Sequence, residues 1–236
     1  QISGRIASTF GRLPQKATPE RKTYPDLNIK GRTQYTAKIG QYPSVCMIYK
    51  GVPAGHPDEK PLEIALALLH NSSATGALDK LSIDGEITNG SASLEANRQQ
   101  GRCKIAVTPL YDENQRRFES NKSAEKKALK AIQQIANGEV EDWIINAIKN
   151  HLNGLFVGWI INAIKTNMCR EFDQVMEASE NKALILLQAF INEEDLGQVL
   201  NYKDEIMAIN IDDIKRVAKQ YLSNDYLALY IEKGNE

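Results

Sequence analysis

"NIDDIKRVAKQYLSNDYLALYIEK", residues 210–233, reads as one helix followed by one strand. Asn210 can accept backbone N–H groups at the helix start, and the two Asp residues suit the positive end of the helix dipole. Ile211, Ile214, Val217, Ala218, Tyr221 and Leu222 recur at helical spacing and form an apolar stripe. "DYLALYIEK" then closes the chain as a strand. A helix with one apolar side followed by a strand is the unit of a helical layer on a sheet, and the rest of the chain is read outward from it.

Upstream, helices dominate from about residue 123 to 222. "SAEKKALKAIQQIANG" places Ala128, Ile132 and Ile135 on one face, and Gly138 is a good stop after its last turn. Before it come four strand-like segments, "TQYTAKIGQ", "SVCMIYKGV", "EITNGSASLEAN" and "GRCKIAVTPLY". The first pair is separated from the second by "LEIALALLHN", a short and nearly all-apolar helix, and by "TGALDKLSI". "NRQQG" is a turn between the last two strands. The small residues of "ITNGSASLE" predict a strand packed closely under another element. Strands, helices, strands, many helices and a strand, in that order, predict an α+β two-layer sandwich: a mostly antiparallel sheet with helices on one face. A doubly wound sheet is not expected. Residues 1–34 carry prolines and charges without a sustained period and read as an arm or interdomain linker, leaving 35–236 as the folded domain.

With 42% hydrophobic and 25% charged residues, the 236-residue chain has the composition of a soluble globular domain. Its formal net charge is −1, so no global field attracts nucleic acid or anionic lipid. No apolar run approaches the ~20 residues that span a bilayer. Cys46, Cys103 and Cys169 lie far apart, form no CxxC, and read as buried free thiols.

A hydrolytic metal site needs histidines and carboxylates on a fixed frame. The chain has three histidines, His56, His70 and His151. "HPDEK" begins like the inverted zinc motif HxxEH, but Lys60 occupies its last position, and Pro57 and Pro61 disfavour the helix it requires. His56 is expected to be a loop residue. His70 ends the apolar helix, where the dipole and the last carbonyls favour an imidazole, and His151 follows the same pattern. No GxSxG elbow is present. Composition and spacing alone give no catalytic constellation.

Several segments, taken in order, resemble the insulinase/pitrilysin family of zinc metallopeptidases. They are "VCMIYKGVPAGHPDEKPLEIALALLHN", "TGALDKL…GEITNGSASLE", "AEKKALKAIQQIANGEVEDWIINAIK", "LLQAFI" and the ending "INIDDIKRVAKQYLSNDYLALYIEKG", covering roughly residues 35–236. The resemblance implies the mitochondrial-processing-peptidase-like metallohydrolase fold. It also implies that this chain is similar to the partner half that lacks HxxEH and closes a chamber around peptide. On that pattern the zinc helix falls on residues 66–70, with Leu66 and Leu69 in place of the first His and the catalytic Glu. Only His70 matches, and one imidazole on an apolar helix holds no zinc and activates no water. The expectations are therefore no catalytic residue, metal or cofactor in this chain, with zinc in the catalytic half. That half would be its partner, on the same polypeptide or another chain. Partner halves retain an Arg and a Tyr that hold substrate backbone. In "LSIDGEIT" the corresponding positions carry Ser82 and Thr88, which can hydrogen-bond but supply neither a cation nor a phenol. Family enzymes bind peptide as an added strand at a sheet edge, and "ITNGSASLE" is small enough to leave room for one. The alternative of the same fold is a non-catalytic scaffold or binding subunit. The compartment is not legible.

The heptapeptide WIINAIK occurs twice, at 143–149 and 159–165. Each copy is too short and too polar for a membrane hairpin. On one straight helix the two would face about 160° apart, at ~100° per residue. Asn153, Gly154 and Gly158 predict a break around "NGLFVG", with each copy packing its apolar residues on one core, as after a local duplication.

Overall fold

The computed structural model describes residues 2–14, 16, 17, 20, 22–25, 28–139 and 156–234. Its strands are β1 (Arg32–Gly40), β2 (Ser44–Lys50), β3 (Ile87–Ala96), β4 (Gly101–Pro109), β5 (Tyr111–Asp112), β6 (Arg117–Phe118) and β7 (Tyr226–Lys233). The helices are α1 (Ile2–Phe10), α2 (Glu59–Ala67), α3 (Ala77–Ile83), α4 (Asn121–Asn137), α5 (Phe156–Glu177), α6 (Ser179–Asn192), α7 (Leu196–Leu200), α8 (Tyr202–Ala208) and α9 (Ile211–Tyr221).

The main sheet has the order β1-β7-β2-β4-β3. β2 pairs antiparallel with both β4 and β7, and β3 pairs antiparallel with β4, while β1 lies parallel to β7. β1 and β3 are therefore its two edges. Alternation selects one face: Val45, Met47 and Tyr49 from β2, Cys103, Ile105 and Val107 from β4, and Tyr226, Ala228 and Tyr230 from β7 are all buried. They form one core with Leu62, Leu66 and Leu69 of the α2 segment, Ala128, Ile132 and Ile135 of α4, and Ile214, Val217 and Ala218 of α9. This is the α+β sandwich that the order of elements predicts.

Local chemistry sets the ends of these helices. Asn210 accepts from the N–H groups of Asp212 and Asp213, and Asp213 reaches back to the Asn210 N–H, closing a capping box on α9. Ser120 caps α4 by accepting from Ser123 N–H. Gly138 ends α4 at φ 77°, a left-handed geometry that a Cβ disfavours. Gly90 explains the small residues of β3: a Cβ there would lie 2.8 Å from the Leu78 Cβ of α3. The buried Glu125 of α4 accepts from the Arg32 guanidinium at 2.7 and 2.9 Å and from the hydroxyls of Tyr226 and Tyr230 at 2.9 and 2.7 Å. It ties edge strand β1 to the helical layer.

Three local expectations are revised. The first residues of the arm are helical: α1 carries Ile2, Ile6 and Phe10 at four-residue spacing, all exposed. Phe156, Val157 and Gly158, expected in a turn, already belong to α5, because one glycine in a helix costs only ~1 kcal/mol. Tyr111, expected at the end of the fourth strand segment, instead pairs with Phe118 in the small β5–β6 hairpin, since β4 ends at Pro109. The second WIINAIK copy lies in α5, where Ile160, Ile161 and Ile164 are buried as expected for packing residues. Lys165 is buried too, and its ammonium donates to the carbonyls of Met207 and Ile209 at the end of α8. The first copy and His151 lie outside the described residues.

Candidate functional site

Helix α2 stops at Ala67, and the chain turns tightly: the N–H groups of Leu69 and His70 both reach Leu66 O at 3.0 Å. Leu66 is 2% exposed and Leu69 0%, so both point into the core. His70 is partly exposed, and its Nδ1 lies 2.6 Å from Asp79 Oδ1 on α3. Asp79 Oδ2 accepts from Gly76 N–H at 2.9 Å and Asn71 N–H at 3.2 Å. His70 thus pairs across to α3, where the helix-end reading expected it to meet its own last carbonyls. The buried Asp79 spends its oxygens closing the α2–α3 turn. These residues do not fit zinc: two leucines supply no ligand, and the one imidazole nitrogen near a carboxylate is already engaged. Among the described residues no group of three or more His, Cys, Asp or Glu side chains is placed to hold a metal.

Ser82 and Thr88 are brought together where α3 hands over to β3. Ser82 Oγ donates to Thr88 O at 3.0 Å, and Thr88 Oγ1 donates to Pro109 O at 2.7 Å. The second bond spans the register shift between Ile87 and Asn89. Both hydroxyls therefore staple the start of β3, and β3 itself is a sheet edge.

A cleft of about 1040 Å³ opens between the start of α2 and the helices from α5 to α9. His56 lies on its wall, with Nδ1 accepting the Asp58 N–H at 3.0 Å. The buried Asp58 accepts from Arg216 at 2.6 Å and from Tyr221 OH at 2.7 Å. The guanidinium holds this carboxyl below its ordinary value, and burial with the Asp58 bond pushes the Tyr221 phenol up to about 12. Lys60 stands among Glu59 at 3.3 Å, Glu63 at 3.6 Å and the Tyr202 ring at 4.9 Å. Burial alone would lower the Lys60 ammonium, but the two carboxylates outweigh it and raise it. Burial raises the Glu63 acid, whose Oε2 has no partner within hydrogen-bond distance among the described residues. The sequence reading weighed Lys60 only as a failed zinc ligand. The signal it passed over was three charges, Glu59, Lys60 and Glu63, on the first turns of an otherwise apolar helix.

The described residues of the α2–α3 turn are thus engaged in packing and in closing the turn, and those of the cleft wall in the Asp58 and Lys60 contacts. A family model described as the peptidase M16 inactive domain matches residues 1–152, more than half of the chain. The chain belongs to this family. Among solved structures, the M16 inactive domain is similar to a protease from Helicobacter pylori, with TM-score 0.75 and 15% identity over 98% of this chain and 51% of that one. It is similar to the inactive peptidase domain of a proposed zinc protease from Bordetella parapertussis, with TM-score 0.62 and 14% identity over 84% of this chain and 94% of that one. It is also similar to a chain of complex III2 from Candida albicans, with TM-score 0.67 and 13% identity over 98% of this chain and 52% of that one. Identities this low show a shared fold. The domain spans about half the length of the H. pylori protease. No curated protein matches it. Among the described residues no helix is long and apolar enough to cross a membrane.

Proposed function

We propose that this M16 inactive domain is the accessory half of a zinc metalloendopeptidase: it forms one wall of the chamber and holds peptide, while zinc and catalysis reside in the other half. The observation that carries this reading is the end of α2. Where a zinc helix needs His, Glu and His facing substrate, this chain turns Leu66 and Leu69 into its core and ties His70 to Asp79. Family membership and the half-length match to a protease support it. Residues 1–34 serve as the interdomain linker: α1 has no buried residue, and its apolar stripe suits a neighbouring body. Peptide lies along the edge strand β3 as an added strand, with main-chain hydrogen bonds supplying affinity. Ser82 and Thr88 shape the start of that edge and supply no transition-state charge.

The test is removal of this domain from its parent protein. The account expects the remaining half to keep its zinc and lose endopeptidase activity by more than tenfold. Full activity of the truncated parent would overturn the reading. The second reading, a scaffold subunit of the same fold, draws on the likeness to the complex III2 chain. It predicts that neither half cleaves peptide in any combination.

A further inference from the structure

Helix α6 carries its larger apolar side chains on the outside. The side it turns to the body presents Ile185, Gln188, Ala189 and Asn192, the last two buried. At ~100° per residue, Leu184, Leu186, Leu187, Phe190 and Ile191 fall on the opposite arc of about 160°. Leu184 is 62% exposed, Leu187 52% and Phe190 75%. A surface helix normally shows the reverse distribution, apolar inward and polar outward. Contiguous exposed apolar faces of this kind mark interaction sites.

We infer that the outer face of α6 is the docking surface for the other half of the parent protein, an inference that rests on the accessory-half reading above. Two observations commit the face to that occupant. The domain accounts for 51% of the H. pylori protease and 52% of the complex III2 chain, so these relatives hold a second body of about equal length. The inner side of the same helix lines the cleft through Ile185, Gln188 and Ala189, flanked by Val175 of α5 and Val199 of α7. A body seated on the outer face adjoins the rim of that cleft and encloses it. The absence of charge from the centre of the face suits a permanent interface, which is more hydrophobic than a transient one.

The experiment mixes this domain with the separately produced other half and measures binding by analytical ultracentrifugation and calorimetry. The double variant Leu187→Asp/Phe190→Asp is compared with wild type and with Lys130→Glu, a charge reversal on the exposed side of α4. The account expects the double variant to bind roughly 30-fold more weakly or worse, as for loss of an interface hot spot. Lys130→Glu binds as wild type, and the melting temperatures of all three isolated domains agree. Wild-type binding by the double variant would overturn the inference and leave the accessory-half reading standing. A self-associated domain that the double variant renders monomeric would overturn it in favour of a second copy as occupant. No binding by the wild type would overturn both. Variant-sensitive binding without peptidase activity would uphold the surface and break the proteolytic reading.

Discussion

Helix α4 turns Ala128, Ile132 and Ile135 into the core and its lysines outward, whereas α6 turns Ala189 inward and Leu184, Leu187 and Phe190 outward. The first helix is complete within this chain. The second is not, because its apolar side chains gain little from this fold alone. The same division runs through the molecule. Around the sheet, α2, α4 and α9 satisfy each other, and Glu125 receives hydrogen bonds from three side chains. On the far side, α5 to α8 line a cleft with the start of α2 and leave apolar surface exposed. On the proposed accessory role, the core supplies rigidity and the apolar outer side receives the partner.

The largest effect should separate the two regions by burial. Leu69→Ala, in the core at the turn after α2, is expected to cost about 3 kcal/mol, from lost transfer energy plus the cavity. Phe190→Ala on α6 should stay within ~0.5 kcal/mol in the isolated domain. Urea unfolding of both variants checks this, and equal costs would erase the contrast.

Next comes the polar core. Glu125→Gln leaves Arg32 and two tyrosine hydroxyls with a weaker acceptor in a buried site, at an expected cost of about 2 kcal/mol. The pH dependence sharpens it. Burial alone would raise the Glu125 acid, but the bonds from Arg32, Tyr230 and Tyr226 hold it below its ordinary 4.5. Arg216 likewise lowers Asp58. Carboxyls depressed in the folded state bind fewer protons there than in the unfolded chain. Their stabilisation is complete above the ordinary carboxylate values and is lost as pH falls through the folded values. Stability should therefore drop as pH falls below the ordinary carboxylate value of 4.5, and the drop should be smaller in Glu125→Gln. An unchanged acid profile in that variant would show that the network does not set it.

At the α2–α3 turn, Asp79→Ala unpairs the N–H groups of Gly76 and Asn71 and should cost about 1–2 kcal/mol in thermal unfolding. The smallest effect belongs to Tyr49→Phe. The Tyr49 ring is buried and stacks on Tyr226 at 5.0 Å, but its hydroxyl has no hydrogen-bond partner among the described residues. Stability within ~0.5 kcal/mol of wild type, or slightly above it, is expected. A loss of several kcal/mol would reveal a role for that hydroxyl.

What the sequence made legible follows the same division. The α9–β7 unit, the α4 stripe and the Gly138 stop were readable because propensity, capping and burial agree at those positions. The burial of Leu66 and Leu69 was readable too, because both lie in a nearly all-apolar run. The pairing of His70 with Asp79 was not, since it depends on how a nine-residue turn places α3 against α2. Nor was the burial of Lys165, which needs the end of α8, more than forty residues away, to supply its acceptors. The α1 stripe of Ile2, Ile6 and Phe10 was present in the letters but was outweighed by the prolines that follow. The outward face of α6 reads as an ordinary apolar helix, and only the fold shows which side of it is covered.

The central claim is that this domain contributes to peptide hydrolysis without holding the zinc. It is tested most directly by measuring zinc content and peptide cleavage for this domain alone, for the other half alone and for the two mixed. The account predicts no stoichiometric zinc and no cleavage with this domain alone, and cleavage appearing on mixing. Stoichiometric zinc together with cleavage by the isolated domain would contradict it.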